Sequence, residues 1–371
     1  MPDPAIHILL TSDYEIFGDG SGDVRRVLIE PTAQILSLCE AYGARMTLFF
    51  EVAEYWAFVR ERERLKNALG YDPAAEMARQ VREAAARGHD AQLHAHPQWL
   101  DAEFVDGAWR LNMQWWRTSS LPFGDADNVH SLVGLLSRGK STLEQMLRPV
   151  APGYECLAFR AGAYCVQPSA DFIRAALACG LRIDSSVSKG LVKMDALSQV
   201  DFRAAHHHHQ PWYVDPGDIT REAAPGDRRL FEAPIASAEE PVIRHLRWRD
   251  LTRALRRSTK QTTSSPASRS ADRLSFGTRL ARLFTPSYVG WDYCLPNGRR
   301  LFRLLEQFAR ACDRPVNPLV MIGHPKVFQA PEEFELFLRL TKRHFIDTGR
   351  ARFSTFPEFL RAFEQSHDRL A

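Results

Sequence analysis

Two pairs of side chains in this sequence have a spacing suited to holding a cation and moving a proton. Thr11-Ser12-Asp13-Tyr14-Glu15 sets two carboxylates two residues apart directly after an apolar run at residues 6–10, and in extended backbone both project to one side. Two acids converging on one cavity can divide their labour, one binding a cation and the other taking a proton from water. His94 and His96 repeat that spacing with imidazoles, the commonest nitrogen ligands of zinc and related metals. Arg160 precedes the small-residue loop Ala161-Gly162-Ala163-Tyr164, and a buried arginine beside carboxylates fixes their geometry and keeps them ionised. Ile183-Asp184-Ser185-Ser186 ends another apolar run in polar groups, and His324 stands at the mouth of the last one, in Gly323-His324-Pro325-Lys326. Taken singly, each signal admits an ordinary alternative: an acidic loop, a surface pair, a structural ion pair, a capping turn.

The elements that would position these groups alternate along the chain. Strand-sized runs at 6–10, 46–50, 157–160, 181–184, 319–322 and 351–354, with another leading into His94, are separated by helical stretches at 31–42, 74–87, 168–180 and 331–348. Gly88 stands where a left-handed cap would close the second of these helices. Such alternation predicts a parallel sheet with crossover helices, and the recurrence of polar residues at the C-terminal ends of strands is where an α/β barrel assembles its site. Residues 205–297 break the rhythm and read as an insertion, with a basic, Ser/Thr-rich segment at about 256–285. His206-His207-His208-His209 falls within it and reads as a solvated loop, since adjacent side chains cannot all face one cavity.

With 371 residues, 45% apolar and 25% charged, the chain can bury a full core. Its longest apolar stretches fall far short of the roughly 20 residues of a membrane span. It starts without a basic leader or cleavage-type sequence, so a cytoplasmic location is expected. Six scattered cysteines without a C-x-x-C pair point to buried thiols rather than a disulfide framework or zinc ribbon. The formal charge of +3 names no partner, but residues 242–285 hold eleven Lys or Arg against Asp250 and Asp272. Such a segment could be a solvated loop, or could attract an anionic sugar, a nucleotide-diphosphate carrier or a lipid diphosphate at a membrane surface, at most a peripheral contact. No nucleic-acid motif accompanies it. Trp99, Trp115, Trp116, Trp291 and Tyr293 could stack on sugar faces, although packing is the commoner fate of tryptophan.

The order of these motifs carries more than any one of them. Thr11-Ser12-Asp13, Phe49-Phe50-Glu51, His89-Asp90 leading to His94, Phe159-Arg160-Ala161-Gly162, Asp184-Ser185-Ser186 and Gly323-His324-Pro325 resemble the polysaccharide deacetylase superfamily of NodB-homology domains. His94-Ala95-His96-Pro97-Gln98-Trp99 and Phe231-Glu232-Ala233-Pro234-Ile235 look closest to its WbmS-like branch, associated with bacterial surface polysaccharides. The resemblance covers nearly the whole chain except the basic insertion. It implies a distorted, incomplete (β/α) barrel in one domain over residues 1–371, and metal-assisted removal of an acetyl group from an N- or O-acetylated sugar or oligosaccharide. One divalent ion, zinc by family analogy, would polarise the acyl carbonyl and lower the pKa of its water to about 7.

By position, Asp13 matches the family's general base, His94 its first metal histidine, Arg160 the arginine that orients the base, and His324 the acid for the leaving group. Two departures touch the metal. Tyr14 stands where a second aspartate is usual, with Glu15 the nearest replacement, and Gln98 stands where the second histidine is usual, with His96 two residues earlier. The expected ligands are therefore His94, His96 and either Asp13 or Glu15, with Glu15 assigned to the metal and Asp13 to catalysis. Trp99, Tyr164, Asp184 and Glu232 are expected to face substrate. A hydrolase of a non-sugar amide and an inactive sugar-binding member are the competing readings.

Overall fold

The computed structural model describes residues 6–227, 229–241 and 286–368. Ten strands form its main sheet: β1 (Ile6–Tyr14), β2 (Met46–Glu51), β3 (Asp90–Ala95), β4 (Ala158–Ala161), β5 (Ile183–Asp184), β6 (Trp212–Asp215), β7 (Asp218–Glu222), β8 (Phe231–Glu232), β9 (Asn317–Met321) and β10 (Ala351–Phe353). Their order is β7-β6-β8-β5-β4-β3-β2-β1-β9, with β10 also paired to β1. From β8 through β5, β4, β3, β2 and β1 to β9 every pairing is parallel. Just beyond β8, Ile235 forms a parallel bridge with Val320 of β9, and Ala236 N donates to Val320 O at 2.9 Å. The sheet thus curls round and meets itself through a short contact, giving the distorted, incomplete barrel expected.

All nine residues of β1 are buried, as suits a strand covered on both faces. The helices α1 (Glu30–Ala41), α2 (Val52–Arg60), α3 (Arg62–Leu69), α4 (Pro73–Ala86), α5 (Leu132–Leu147) and α6 (Ala170–Ala178) lie between successive strands. Local chemistry fixes their ends. Asp72 Oδ1 accepts from Ala75 N (3.0 Å) with Pro73 in the first position of α4, and Gly88, at φ 89°, turns the chain left-handed beyond its end. Gly139 of α5 lies so close to β3 that a Cβ there would come 2.6 Å from Leu93 Cδ1.

Three further helices follow the insertion, α7 (Gly298–Arg310), α8 (Pro331–Thr341) and α9 (Phe356–Asp368). Phe356, Phe359, Leu360 and Phe363 of α9 join Leu9, Phe49, Ile183, Phe231, Ile235 and Val320 in one apolar cluster. Strand residues from all round the curled sheet meet this one helix. Phe356 packs edge-on against Phe49 at 5.5 Å, and the Arg160 guanidinium lies 4.0 Å from the Phe49 ring.

The chain divides into two compact units, one of residues 1–237 with 290–371 and one of 238–289. In the second, the described residues belong to strands Ser237–Pro241 and Pro286–Gly290, which form their own two-stranded sheet. The basic segment at about 256–285 lies outside the described residues. Residues 205–237, read from the sequence as the start of the insertion, supply β6, β7 and β8 to the main sheet. The histidine run is likewise not a solvated loop throughout: His209 is buried against Phe308 (5.3 Å), while His206 is exposed beside Glu222. All six cysteines are free, three of them buried and three partly so. Among the described residues no helix is long and apolar enough to cross a membrane.

The α9 cluster gives a direct stability test. Phe356→Ala removes an aromatic ring from a fully buried site and is expected to cost about 3–5 kcal/mol in denaturant-induced unfolding.

Candidate active site

Seven of the parallel strands bring a polar side chain to their C-terminal end. These are Asp13 on β1 with Glu15 just after it, Glu51 on β2, His94 on β3 with His96 just after it, Arg160 on β4, Asp184 on β5, Glu232 on β8 and His324 after β9. Register aligns the central ones, since His94 is level with Glu51 on one side and with Arg160 on the other.

Arg160 is wholly buried, and its donors are met one by one. Nη1 donates to Asp13 Oδ1 (2.7 Å) and Thr11 Oγ1 (2.9 Å), Nε to Ser185 O (2.8 Å), and Nη2 to Ser185 Oγ (3.1 Å). Asp13 Oδ2 lies 3.4 Å from His324 Nε2. Burial alone would raise the Asp13 pKa, but the charge of Arg160 and the hydrogen bond and charge of His324 outweigh it and hold the carboxyl well below the usual range. His324 is pulled the other way. Burial disfavours its cation, but the hydrogen bond and charge of Asp13, with Asp292 beyond, raise its pKa above the ordinary value. Burial also pushes the Asp292 carboxyl up.

The second group gathers round the imidazoles. His96 Nδ1 is 2.9 Å from both Glu15 Oε2 and Glu51 Oε2, and Glu15 Oε2 is 3.6 Å from His94 Nε2. The other Glu15 oxygen accepts from Lys326 Nζ at 2.8 Å. Burial would raise the Glu15 pKa, but His96 and Lys326 bring it well below its ordinary value. His96 rises despite burial because it faces two carboxylates. Glu54, behind them, is pushed well up by burial and by Glu51 and Glu15, and accepts a hydrogen bond from Ile16 N (3.1 Å). His96 is seated on bare backbone, for a Cβ on Gly162 would approach its ring to 2.5 Å.

These groups form two convergent sets of ligand atoms that share Glu15: Glu15 with Glu51, His94 and His96, and Asp13 with Glu15 and His324. One observation separates them. His94 Nδ1 is 2.7 Å from Arg160 O, a carbonyl that can only accept, so Nδ1 carries the proton and the Nε2 lone pair is left free. That Nε2 is buried and has no hydrogen-bond partner. A buried lone pair aimed among carboxylates suits a cation, and a histidine whose other nitrogen donates to a carbonyl has the usual second shell of a metal ligand. In the other set, Asp13 is already engaged by Arg160 and His324. The donor set of the first group therefore fits a divalent ion.

The residues expected to face substrate divide. Trp99 is buried, ringed by Phe58 (5.8 Å) and Trp109 (5.0 Å), so aromatic packing, not sugar stacking, is its role. Trp291 and Tyr293 are buried too, Tyr293 pairing with Ser12 Oγ at 2.7 Å. Asp184 and Glu232 have no solvent access. They are level with one another on β5 and β8, where Asp184 also binds Ser186 N (2.8 Å) and Glu232 accepts from Val187 N (3.1 Å). Tyr164 is half-buried, at φ 63°, and packs against the apolar cluster. Trp116 is the named aromatic beside the site, half-buried with its ring 6.2 Å from that of His96. Gln98 is buried, with Nε2 donating to Gly18 O at 3.4 Å.

Glu51, Lys326, Asp292 and Glu54 escaped the sequence reading as site residues. Glu51 had a detectable signal, a carboxylate ending the apolar run Met46-Thr47-Leu48-Phe49-Phe50 just as the other strand-end groups do. Asp292 and Lys326 had none, since nothing local sets them apart from ordinary loop charges.

Solved structures resembling this chain include a protein assigned as a polysaccharide deacetylase from Mycobacterium smegmatis, 13% identical with TM-score 0.46, covering 99% of this chain and 93% of that one. A second, assigned likewise, comes from Pseudomonas aeruginosa PAO1, 12% identical with TM-score 0.45, covering 98% and 93%. The allantoinase Puue is 11% identical with TM-score 0.46, covering 98% and 92%. No protein-family model matches the sequence, and no curated protein matches it significantly.

The Asp184–Glu232 pair gives a prediction with a definite sign. Burial raises both pKa values, and the neighbouring Asp184 charge raises Glu232 further, well above its ordinary value. Each proton is thus held more tightly folded than unfolded. The resulting stabilisation is complete below about pH 4 and is lost as pH climbs through the raised values. In Glu232→Gln the amide can still donate to Asp184 and accept from Val187 N. Its stability relative to wild type is expected to be higher at pH 8 than at pH 5 by ~1 kcal/mol or more in denaturant unfolding. A difference independent of pH would contradict the raised pKa of Glu232.

Proposed function

We propose that this protein is a metal-dependent hydrolase that removes an acetyl group from an N- or O-acetylated sugar in the assembly of bacterial surface polysaccharide or glycoconjugate. The observation that carries the reading is the adjacency of the two sets, a base–acid pair beside a buried donor set whose His94 Nε2 is unpartnered. The ordered motif series of the deacetylase superfamily supports the same chemistry, as does the half-buried Trp116 as a surface for a sugar ring.

Glu15, His94 and His96 are assigned as metal ligands. A divalent ion bound there supplies Lewis acidity toward the acyl carbonyl and lowers the pKa of water, with zinc the ion the motif resemblance suggests. The remaining roles fall to the chain's own groups. Arg160 keeps Asp13 ionised and pointed, so that Asp13 can take a proton from the attacking water as its oxygen bonds to the acetyl carbon. His324, whose cation the neighbouring Asp13 carboxylate stabilises, donates from Nε2 to the departing nitrogen or oxygen as the C–N or C–O bond breaks. The products are acetate and the free amine or hydroxyl. Among the groups of the two sets, His324 has the most exposed side chain at 21%, which suits the group that meets the leaving atom. The basic segment near 256–285 is proposed to favour anionic substrates, whether nucleotide- or lipid-diphosphate-linked.

Acetate release from a panel of N- and O-acetylated nucleotide sugars and oligosaccharides, with non-sugar amides as comparators, tests the proposal. Activity is expected on acetylated sugars and is expected to fall about 100- to 10,000-fold in Asp13→Asn, with the fold checked by circular dichroism. Turnover confined to non-sugar amides would overturn the substrate, and full activity in Asp13→Asn would overturn the base.

A further inference from the structure

Glu51 stands apart from the three ligands assigned above. It ends β2 and begins α2, and its two oxygens do different things. Oε1 caps the helix, accepting from Ala53 N (3.0 Å) and Glu54 N (3.4 Å). Oε2 turns the other way, to within 2.9 Å of His96 Nδ1, the same separation that Glu15 Oε2 keeps from that atom. A neutral or protonated imidazole has at most one proton on Nδ1, and one N–H points well at one acceptor only. The Nδ1 proton can serve only one of the two carboxylate oxygens, whereas a cation among the three atoms would serve both.

A catalytic ion held by four protein donors needs one further position for water or substrate, which makes five. All four donor atoms lie within 4.8 Å of one another, inside the span of a single ion's ligands.

We infer that Glu51 is a fourth protein ligand, through Oε2, and that the ion it completes is five-coordinate, with one position left open. This rests on the metal-dependent reading above and deepens it. The site then differs from the usual catalytic arrangement of three protein ligands round zinc. Its surplus oxygen donor also makes it hospitable to harder divalent ions that accept larger coordination numbers. Glu51 gains a mechanical role as well, because its other oxygen ties the ion to the first turn of α2.

Cobalt(II) reports coordination number directly, since tetrahedral Co2+ absorbs strongly in the visible and five- or six-coordinate Co2+ only weakly. The full chain, stripped with a chelator, is titrated with Co2+ alongside Glu51→Ser, in which a serine hydroxyl preserves an N-cap for α2. Wild type is expected to take up one equivalent with weak visible bands. Glu51→Ser is expected to bind at least about tenfold more weakly and to show bands several-fold stronger as the ion relaxes to four ligands. Should Glu51→Ser fail to fold by circular dichroism, Glu51→Gln, which retains the side-chain volume and one cap acceptor, provides the same comparison. Equal, strong tetrahedral bands in wild type and variant would place Glu51 outside the coordination sphere while leaving the metal site intact. Failure of wild type to take up Co2+ at all would overturn the metal site itself.

Discussion

A fully buried guanidinium is the constraint on which the rest of this structure depends. Removing an arginine from water costs several kcal/mol unless its donors are met and its charge is balanced. Here the barrel does both, with Thr11, Asp13 and Ser185 as acceptors and Asp13 as counter-charge. The same contacts tie β4 to β1 and to the turn after β5, so satisfying one side chain fixes the relative positions of three strand ends. The guanidinium packs on the Phe49 ring, which also packs against Phe356 of α9, so the polar layer touches the apolar core.

That arrangement explains how acids so close together keep different roles. Asp13 is held ionised by Arg160, Glu15 by His96 and Lys326, while Glu54, Asp184 and Glu232, which lack such direct cationic partners, have raised pKa values. The backbone carbonyl of Arg160 does separate work by fixing the His94 tautomer. One residue thus holds the proposed base with its side chain and the proposed metal ligand with its main chain.

Much of this was legible in the sequence because strand geometry is periodic. The two-residue spacing of Asp13 with Glu15, and of His94 with His96, translates directly into a shared face, and the polar ends of apolar runs mark the end of the barrel where these groups converge. What could not be read was depth. Asp184 and Glu232 end strands just as His94 does, yet they face each other inside the barrel with no access for substrate. Trp99 directly follows His-Pro-Gln in a motif that names the site, but its ring turns into a pocket made by Phe58 and Trp109, partners distant in sequence. Residues 205–237 looked irregular because β6, β7 and β8 are short and mix antiparallel with parallel pairing, which blurs the α/β alternation. Lys326 and Asp292 act only through contacts made in the folded chain, so no local pattern announces them.

The central claim is that one divalent ion sits among the strand-end histidines and acids. Elemental analysis of freshly purified protein beside a His94→Ala variant tests it most directly, because His94 Nε2 is the donor atom that the fold leaves unpartnered. The expected result is about one equivalent of divalent metal in the native protein and its loss in the variant. Absence of metal from both, persisting after reconstitution with divalent ions, would contradict the account.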